Sequence, residues 1–274
     1  MIEQPVDENI FEYIFSRYDV KIKIEKEAEE YKKRIFESQY GFEDGPIAKR
    51  EKDLENTEEN TKLIKRLALD LGADLVGVSK VRQEYFFKDR ELDHMFAISL
   101  AMEMDYDKIE ESPGPPSATE VIRVYCMLGE VTIKLASEIR KLGYPAYGHH
   151  PRASRTNPTK ILHIPSAVES GLGELGRLGL LITPRYGPRI RLGTVTTNLP
   201  LLPDEPINFG ASEYCEKCEI CVRECEGDAI PMGKSVIRGY NKYKVDPYKC
   251  GPYFGEYDGC SVCVKVCALN KRPE

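Results

Sequence analysis

Four cysteines within eleven residues, Cys215, Cys218, Cys221 and Cys225, constrain this chain more than any other feature. They read C-x2-C-x2-C-x3-C, and Cys250, Cys260, Cys263 and Cys267 answer them downstream as a lone cysteine followed by C-x2-C-x3-C. Eight thiolates are what two 4Fe-4S clusters need at four sulfurs each. A zinc site also uses C-x2-C pairs, but it wants two such pairs around a tetrahedron, not four cysteines this close. A disulfide framework needs an oxidising compartment, and the first residues, Met1 to Asp7, carry neither a basic patch nor an apolar stretch to take the chain there.

In bacterial two-cluster ferredoxins the fourth cysteine of such a run serves the other cluster. That places Cys215, Cys218, Cys221 and Cys267 on one cluster, and Cys225, Cys250, Cys260 and Cys263 on the other. The ninth cysteine, Cys126, lies far upstream in an apolar helical pattern and reads as a buried small hydrophobe.

At 274 residues the chain is much longer than two clusters require, so a substantial further domain is expected. Hydrophobic residues at 41% and charged residues at 31% are enough for an ordinary core and surface. No window approaches eighteen apolar residues in a row, so no membrane span is expected. Cluster assembly needs reduced thiols, which points to the cytoplasm. A net charge of -6 gives no general attraction to nucleic acid, although a local basic patch remains open.

Three regions separate. Residues 1–58 are dominated by charge and read as a mainly helical extension with a solvated face. Residues 59–205 carry the periodic apolar patterns of an α/β (α+β) core. Leu63, Leu67 and Leu71 share a helical face closed by Gly72, and 75–78 and 96–102 read as buried strands. Residues 206–274 are the cluster domain. In the core, Pro113 to Pro116 breaks the chain, and Ser117-Ala118-Thr119-Glu120 has the form of a capping box. Val121, Tyr125, Leu128, Val131, Leu135, Ile139 and Leu142 then recur at helical spacing up to Gly143. Tyr125 on that stripe is either a core tyrosine with a satisfied hydroxyl or a functional one.

Gly171-Leu172-Gly173-Glu174-Leu175-Gly176 imitates a dinucleotide fingerprint, but the order is inverted. A helix precedes it and the strand-like run 180–183 follows, whereas the fingerprint needs strand, then glycines, then helix. The glycines read either as a structural turn or as a place where backbone approaches something flat and bulky.

The segment from Ser170 through Arg177, with Leu181-Ile182-Thr183-Pro184-Arg185-Tyr186-Gly187-Pro188-Arg189 and Val195 to Leu201, resembles the core motif of cobalamin-dependent reductive dehalogenases and of the related epoxyqueuosine reductases. Both families follow it with the same cysteine pattern, and the resemblance covers residues 120 to 270. It implies a nitroreductase-like corrinoid-binding core beside a ferredoxin-like domain carrying two 4Fe-4S clusters. It implies an oxidoreductase that takes electrons from a low-potential donor such as ferredoxin or flavodoxin and passes them to cobalamin and then to a small organic substrate. By the same resemblance, Gly171, Gly173, Gly176, Arg177, Tyr186 and Gly187 are expected at the corrinoid.

Dehalogenases take a proton from a tyrosine in the helix where this chain has Tyr125, with Arg123, Arg152 or Arg155 as candidate neighbouring cations. Epoxyqueuosine reductases place an acid in that helix, where this chain offers Glu130. Dehalogenases also tend to carry Gly-Asn where this chain has Gly148-His149-His150, which makes His149 and His150 further candidates for proton donation. Proline after the last cysteine of each run is replaced by Glu226 and Ala268. No export signal like that of respiratory dehalogenases is expected from the chain's first residues. Two other readings stay open: a non-catalytic electron-transfer or corrinoid-handling protein, and a tRNA-modifying enzyme using Arg177, Arg185, Arg189 and Arg191 as a basic track.

Overall fold

The computed structural model describes residues 23–39, 45–50, 54–87, 91–151, 160–237, 239–257 and 259–272. Arg152, Arg155 and the first part of the charged extension lie outside these. In chain order the first elements are α1 (Lys26–Arg34), α2 (Thr57–Asp70), β1 (Leu75–Lys80), β2 (Phe96–Glu103), α3 (Tyr106–Glu110), α4 (Pro115–Lys141) and β3 (Ala146–His149). They are followed by α5 (His163–Glu169), β4 (Glu174–Leu175), β5 (Leu181–Ile182) and β6 (Ile190–Thr197). The cysteine-bearing segment holds α6 (Ala211–Lys217), α7 (Ile220–Arg223), β7 (Ser235–Ile237), β8 (Tyr240–Lys242), α8 (Pro247–Tyr257) and α9 (Val262–Lys265).

Four strands pair antiparallel in the order β1-β2-β6-β3, with Ile98 opposite Val195 at the centre. Strand residues alternate between faces, and both faces are covered. Ile98, Leu100 and Val195 pack against Leu128, Val131 and Leu135 of α4, forming the main core. The residues between them meet α5, where Ala101, Ala167, Leu172 and Leu181 gather. This mixed architecture is the α+β class expected for residues 59–205.

Three local expectations are corrected by packing. In α2 the buried track is Asn60, Ile64 and Ala68, while Leu63 is 48% exposed. Asn60 sits on the buried face because its side chain donates to the carbonyls of Leu54 and Pro200. The long helix α4 begins at Pro115, before the supposed capping box, since a proline at the first helical position needs no hydrogen-bond acceptor and has its φ preset. Ser117 is therefore inside the helix, and the Glu120 carboxylate instead accepts from Asp105 N and from Arg123. The charged α1 is not merely solvated: Ala28, with Ile35 just beyond it, is fully buried against Ile122 and Cys126 of α4.

Candidate functional site

The cysteine-bearing segment is clamped to the core by the glycine-rich motif. Glu174 on β4 accepts from Phe209 N and Ala211 N at 3.0 and 2.9 Å, and so caps the helix that leads to Cys215. Arg177, 2% exposed, donates from Nε to Cys215 O at 2.9 Å and from its other nitrogens to the carbonyls of Glu216, Pro231 and Met232. Its guanidinium carbon lies 4.4 Å from the centre of the Tyr243 ring. Arg189 plays the matching part at the other end of the segment, donating to Asn270 Oδ1 and Lys271 O while pairing with Glu103 at 2.6 Å.

The eight cysteine sulfurs fall into two electrostatic foursomes. Burial pushes the Cys221 thiol up to about 11, and its strongest thiol neighbours are Cys267, Cys215 and Cys218. Cys267, also about 11 and also raised first by burial, feels Cys215 and Cys218. Burial raises Cys250 to about 11, with Cys260 and Cys225 beside it. Burial likewise drives Cys263 upward, helped by Cys250, Cys260, Cys221 and Cys225. Cys221 bears on Cys263 as well, so the two sets are neighbours. Thiols held protonated by burial and by one another give up their protons when metal takes their place. Among the described residues no three Cys, His, Asp or Glu side chains converge at single-ion distance.

Cys126 is buried with Ala28, Ile35 and Ile122, as a small hydrophobe should be. Its carbonyl and sulfur accept from Gln39 Nε2 at 3.0 and 3.4 Å. The Gln39 oxygen is 2.7 Å from His150 Nε2. His150 lies directly over Gly129, where a Cβ would collide with its Nε2 and with Gln39 Oε1. Gly129 is one helical turn beyond Tyr125, so Tyr125 and His150 share a side of α4.

The other two candidate acids lie elsewhere. His149 precedes His150 in the chain but turns to the α5 side of the sheet, where its Nε2 is 3.0 Å from Thr196 Oγ1. Complete burial drives its pKa well below the usual imidazole value, so it is neutral at pH 7. Glu130 pairs with Arg34, and its other oxygen is 3.6 Å from Lys134. It lines a cavity of about 650 Å³ with Glu103, Asp105, Arg123 and Lys134, to which Tyr125 does not contribute.

Tyr125 has a partner that the sequence reading overlooked. Arg191, on the α4 face of β6, places its guanidinium 5.1 Å from the Tyr125 ring centre. Its Nε is buried without a hydrogen-bond partner, and Nη2 lies 3.8 Å from where a Cβ of Gly259 would stand. The cation beside the phenol thus abuts the loop that carries Cys260. Arg123, expected near Tyr125, is instead taken by Glu120 at 2.6 Å. Strand alternation was the available signal, since Arg191, Gly193 and Val195 must share one face.

The residues expected at a flat cofactor are gathered around β4 and β5, and the side of each glycine where a Cβ would stand is taken by protein. A Cβ at Gly171 would lie 2.6 Å from Glu205 O, and one at Gly176 would lie 2.8 Å from the Ile182 side chain. At Gly173 and Gly187 it would strike the carbonyls of Ile182 and Leu269. Tyr186 is buried among Ala167, Leu172 and Leu181, with Arg185 over its ring.

This combination, an antiparallel core clamped onto an eight-cysteine segment, is the fold of the reductive dehalogenases and epoxyqueuosine reductases. No family model matches the chain. The chain is 40% identical over 188 residues to a tetrachloroethene reductive dehalogenase of Desulfitobacterium hafniense, covering 64% of this chain and 33% of that protein. It is 30% identical over 272 residues to the tetrachloroethene reductive dehalogenase of Sulfurospirillum multivorans, covering 82% and 53%. An epoxyqueuosine reductase of Listeria monocytogenes is 30% identical over 134 residues, or 43% of this chain and 32% of that one. Among solved structures, the catabolic reductive dehalogenase NpRdhA superposes with a TM-score of 0.79 at 29% identity, over 89% of this chain and 37% of that one. Epoxyqueuosine reductase from Streptococcus thermophilus superposes at 0.51 and 19% identity, a likeness of fold alone. The chain is a homologue of both groups. It spans about a third to a half of the dehalogenases it matches.

Proposed function

We propose that the chain is the redox portion of a corrinoid-dependent reductase of the dehalogenase type, with Tyr125 as its proton donor. Two 4Fe-4S clusters would supply single electrons, and a bound corrinoid the strongly reducing cobalt that opens a bond in a small organic substrate. Cys215, Cys218, Cys221 and Cys267 are proposed for one cluster, and Cys225, Cys250, Cys260 and Cys263 for the other. Gly171, Gly173, Gly176, Gly187 and Tyr186 keep a proposed part in corrinoid binding through the loop shape they permit. A low-potential ferredoxin or flavodoxin is the proposed donor, and the cytoplasm the proposed compartment. Among the described residues no helix is long and apolar enough to cross a membrane.

The observation that carries this reading is the Tyr125–Arg191 pair against the Cys260 loop. Reductive cleavage leaves negative charge on the substrate, and a neutral phenol can quench it. The phenolate left behind is stabilised by a guanidinium with an unused Nε–H. Glu130 is tied into ion pairs in a cavity that Tyr125 does not line, and His149 is neutral and sealed behind the sheet. His150 stands on the Tyr125 side and is the nearest rival. Identity of 40% to a dehalogenase against 30% to an epoxyqueuosine reductase favours the dehalogenase-type substrate over tRNA.

The test is halide release from chlorinated alkenes and arenes by anaerobically reconstituted protein with an artificial low-potential reductant. Tyr125→Phe should keep its iron and lose turnover by about a hundredfold or more. Undiminished turnover in Tyr125→Phe, alongside an inactive His150→Gln, Glu130→Gln or His149→Gln, would move the acid to that residue.

A further inference from the structure

Among the described residues no carboxylate hydrogen-bonds to the buried Arg177, although its charge bears on the exposed Glu216. Arg177 is 2% exposed, and its partners are the carbonyls of Cys215, Glu216, Pro231 and Met232. The nearby acid, Glu216, points its carboxylate outward to Lys234 at 2.5 Å. Glu174, the other acid of the region, is occupied as the cap of α6. An uncompensated buried guanidinium is among the costliest things a fold can contain, so a counter-charge is expected within reach. The neighbours that qualify are Cys215 and Cys221, on both of which Arg177 acts as a stabilising cation. As free thiols these are neutral and supply no charge. As ligands of an iron–sulfur cluster they are thiolates around a core of net negative charge.

Acidic groups bear on both foursomes, Glu174 on Cys215 in the first. Asp246 bears on Cys250, and Glu226 and Glu256 bear on Cys260. Arg191 faces Gly259, in the loop that carries Cys260, and Tyr125.

We propose that Arg177 is the buried counter-charge of the cluster held by Cys215, Cys218, Cys221 and Cys267, and that it raises that cluster's reduction potential. Its Nε–H to the Cys215 carbonyl fixes the cation at the ligand loop. Adding an electron makes the cluster more negative, so a fixed adjacent cation favours the reduced form. Arg177 is on this account a positioning residue of the electron path, and its role rests on the iron–sulfur reading above.

The test is an anaerobic redox titration followed by electron paramagnetic resonance on the full chain. The first cluster is identified as the signal perturbed by Cys218→Ser. In Arg177→Met the midpoint of that cluster should shift to lower potential while the other stays in place. In Arg177→Lys, which keeps the charge, it should remain near wild type. If Arg177→Met assembles no first cluster but Arg177→Lys does, the counter-charge is upheld. If Arg177→Met leaves both midpoints unchanged, or Lys and Met variants lose the cluster alike, Arg177 is only a clamp and the proposal fails. Wild-type protein without iron would instead overturn the iron–sulfur reading itself.

Discussion

At the scale of single residues, Gly129 shows how a site can depend on an absent side chain. Glycine in an exposed helix interior costs up to about 1 kcal/mol relative to alanine, so Gly129→Ala should stabilise if only propensity mattered. Here the added methyl meets two buried groups, His150 Nε2 and Gln39 Oε1, neither at the end of a free chain. Overpacking of this kind costs about 1–3 kcal/mol. Urea unfolding of Gly129→Ala should therefore show a lower midpoint than wild type, and a raised midpoint would mean that His150 does not sit where it is placed here. Arg191 offers a second expectation. Arg191→Gln removes the cation beside Tyr125 but no hydrogen bond to its Nε, so it should lower turnover about tenfold or more and leave the iron content unchanged. Neither residue's role was legible in the sequence. Tyr125 could be picked from the helical stripe, but its partner lies sixty-six positions later on a strand whose facing residues only the register reveals.

Among the elements, the helical stripe of α4, the strands and the glycine-rich turn were readable because their periodicity is local. What escaped was whatever tertiary contact decides. His149 and His150 looked like a pair, yet the end of β3 sends them to opposite faces. On the α5 side His149 joins His94 and His163 around Thr194 and Thr196. Lys160 and Asp93 are the charged groups near them. Burial pushes His163 down to about 4, against a smaller upward pull from a backbone hydrogen bond with His150, and its Nε2 has no partner. Its neutral form is the native one, while the unfolded imidazole takes a proton near 6.5. Stability from this group is thus complete above about pH 6.5 and is lost as pH falls toward 4, by up to about 3 kcal/mol. Urea midpoints measured at pH 7 and pH 5 should converge in His163→Gln relative to wild type. Equal pH dependence in the two proteins would show that the ring is solvated.

For the whole molecule, the sequence motif shared with the dehalogenases proves to be the joint between core and cysteine segment. Glu174, Arg177, Gly187 and Arg189 all reach across it. Residue types alone suggested a cofactor cradle but not this packing, because glycines that admit a backbone carbonyl and glycines that admit a ligand look identical in sequence. The proposed cysteine grouping comes from the sequence alone, because ligand spacing is dictated by the cluster itself. Replacing one ligand, as in Cys221→Ser, should cost the chain one cluster, whereas Cys126→Ser should cost none.

The most direct test of the account is the elemental composition of the anaerobically reconstituted chain, supplied with iron, sulfide and cobalamin and then desalted. The account predicts about eight irons and eight acid-labile sulfides per chain, with one cobalt. Stoichiometric zinc without iron, or iron without any retained cobalt, would contradict it.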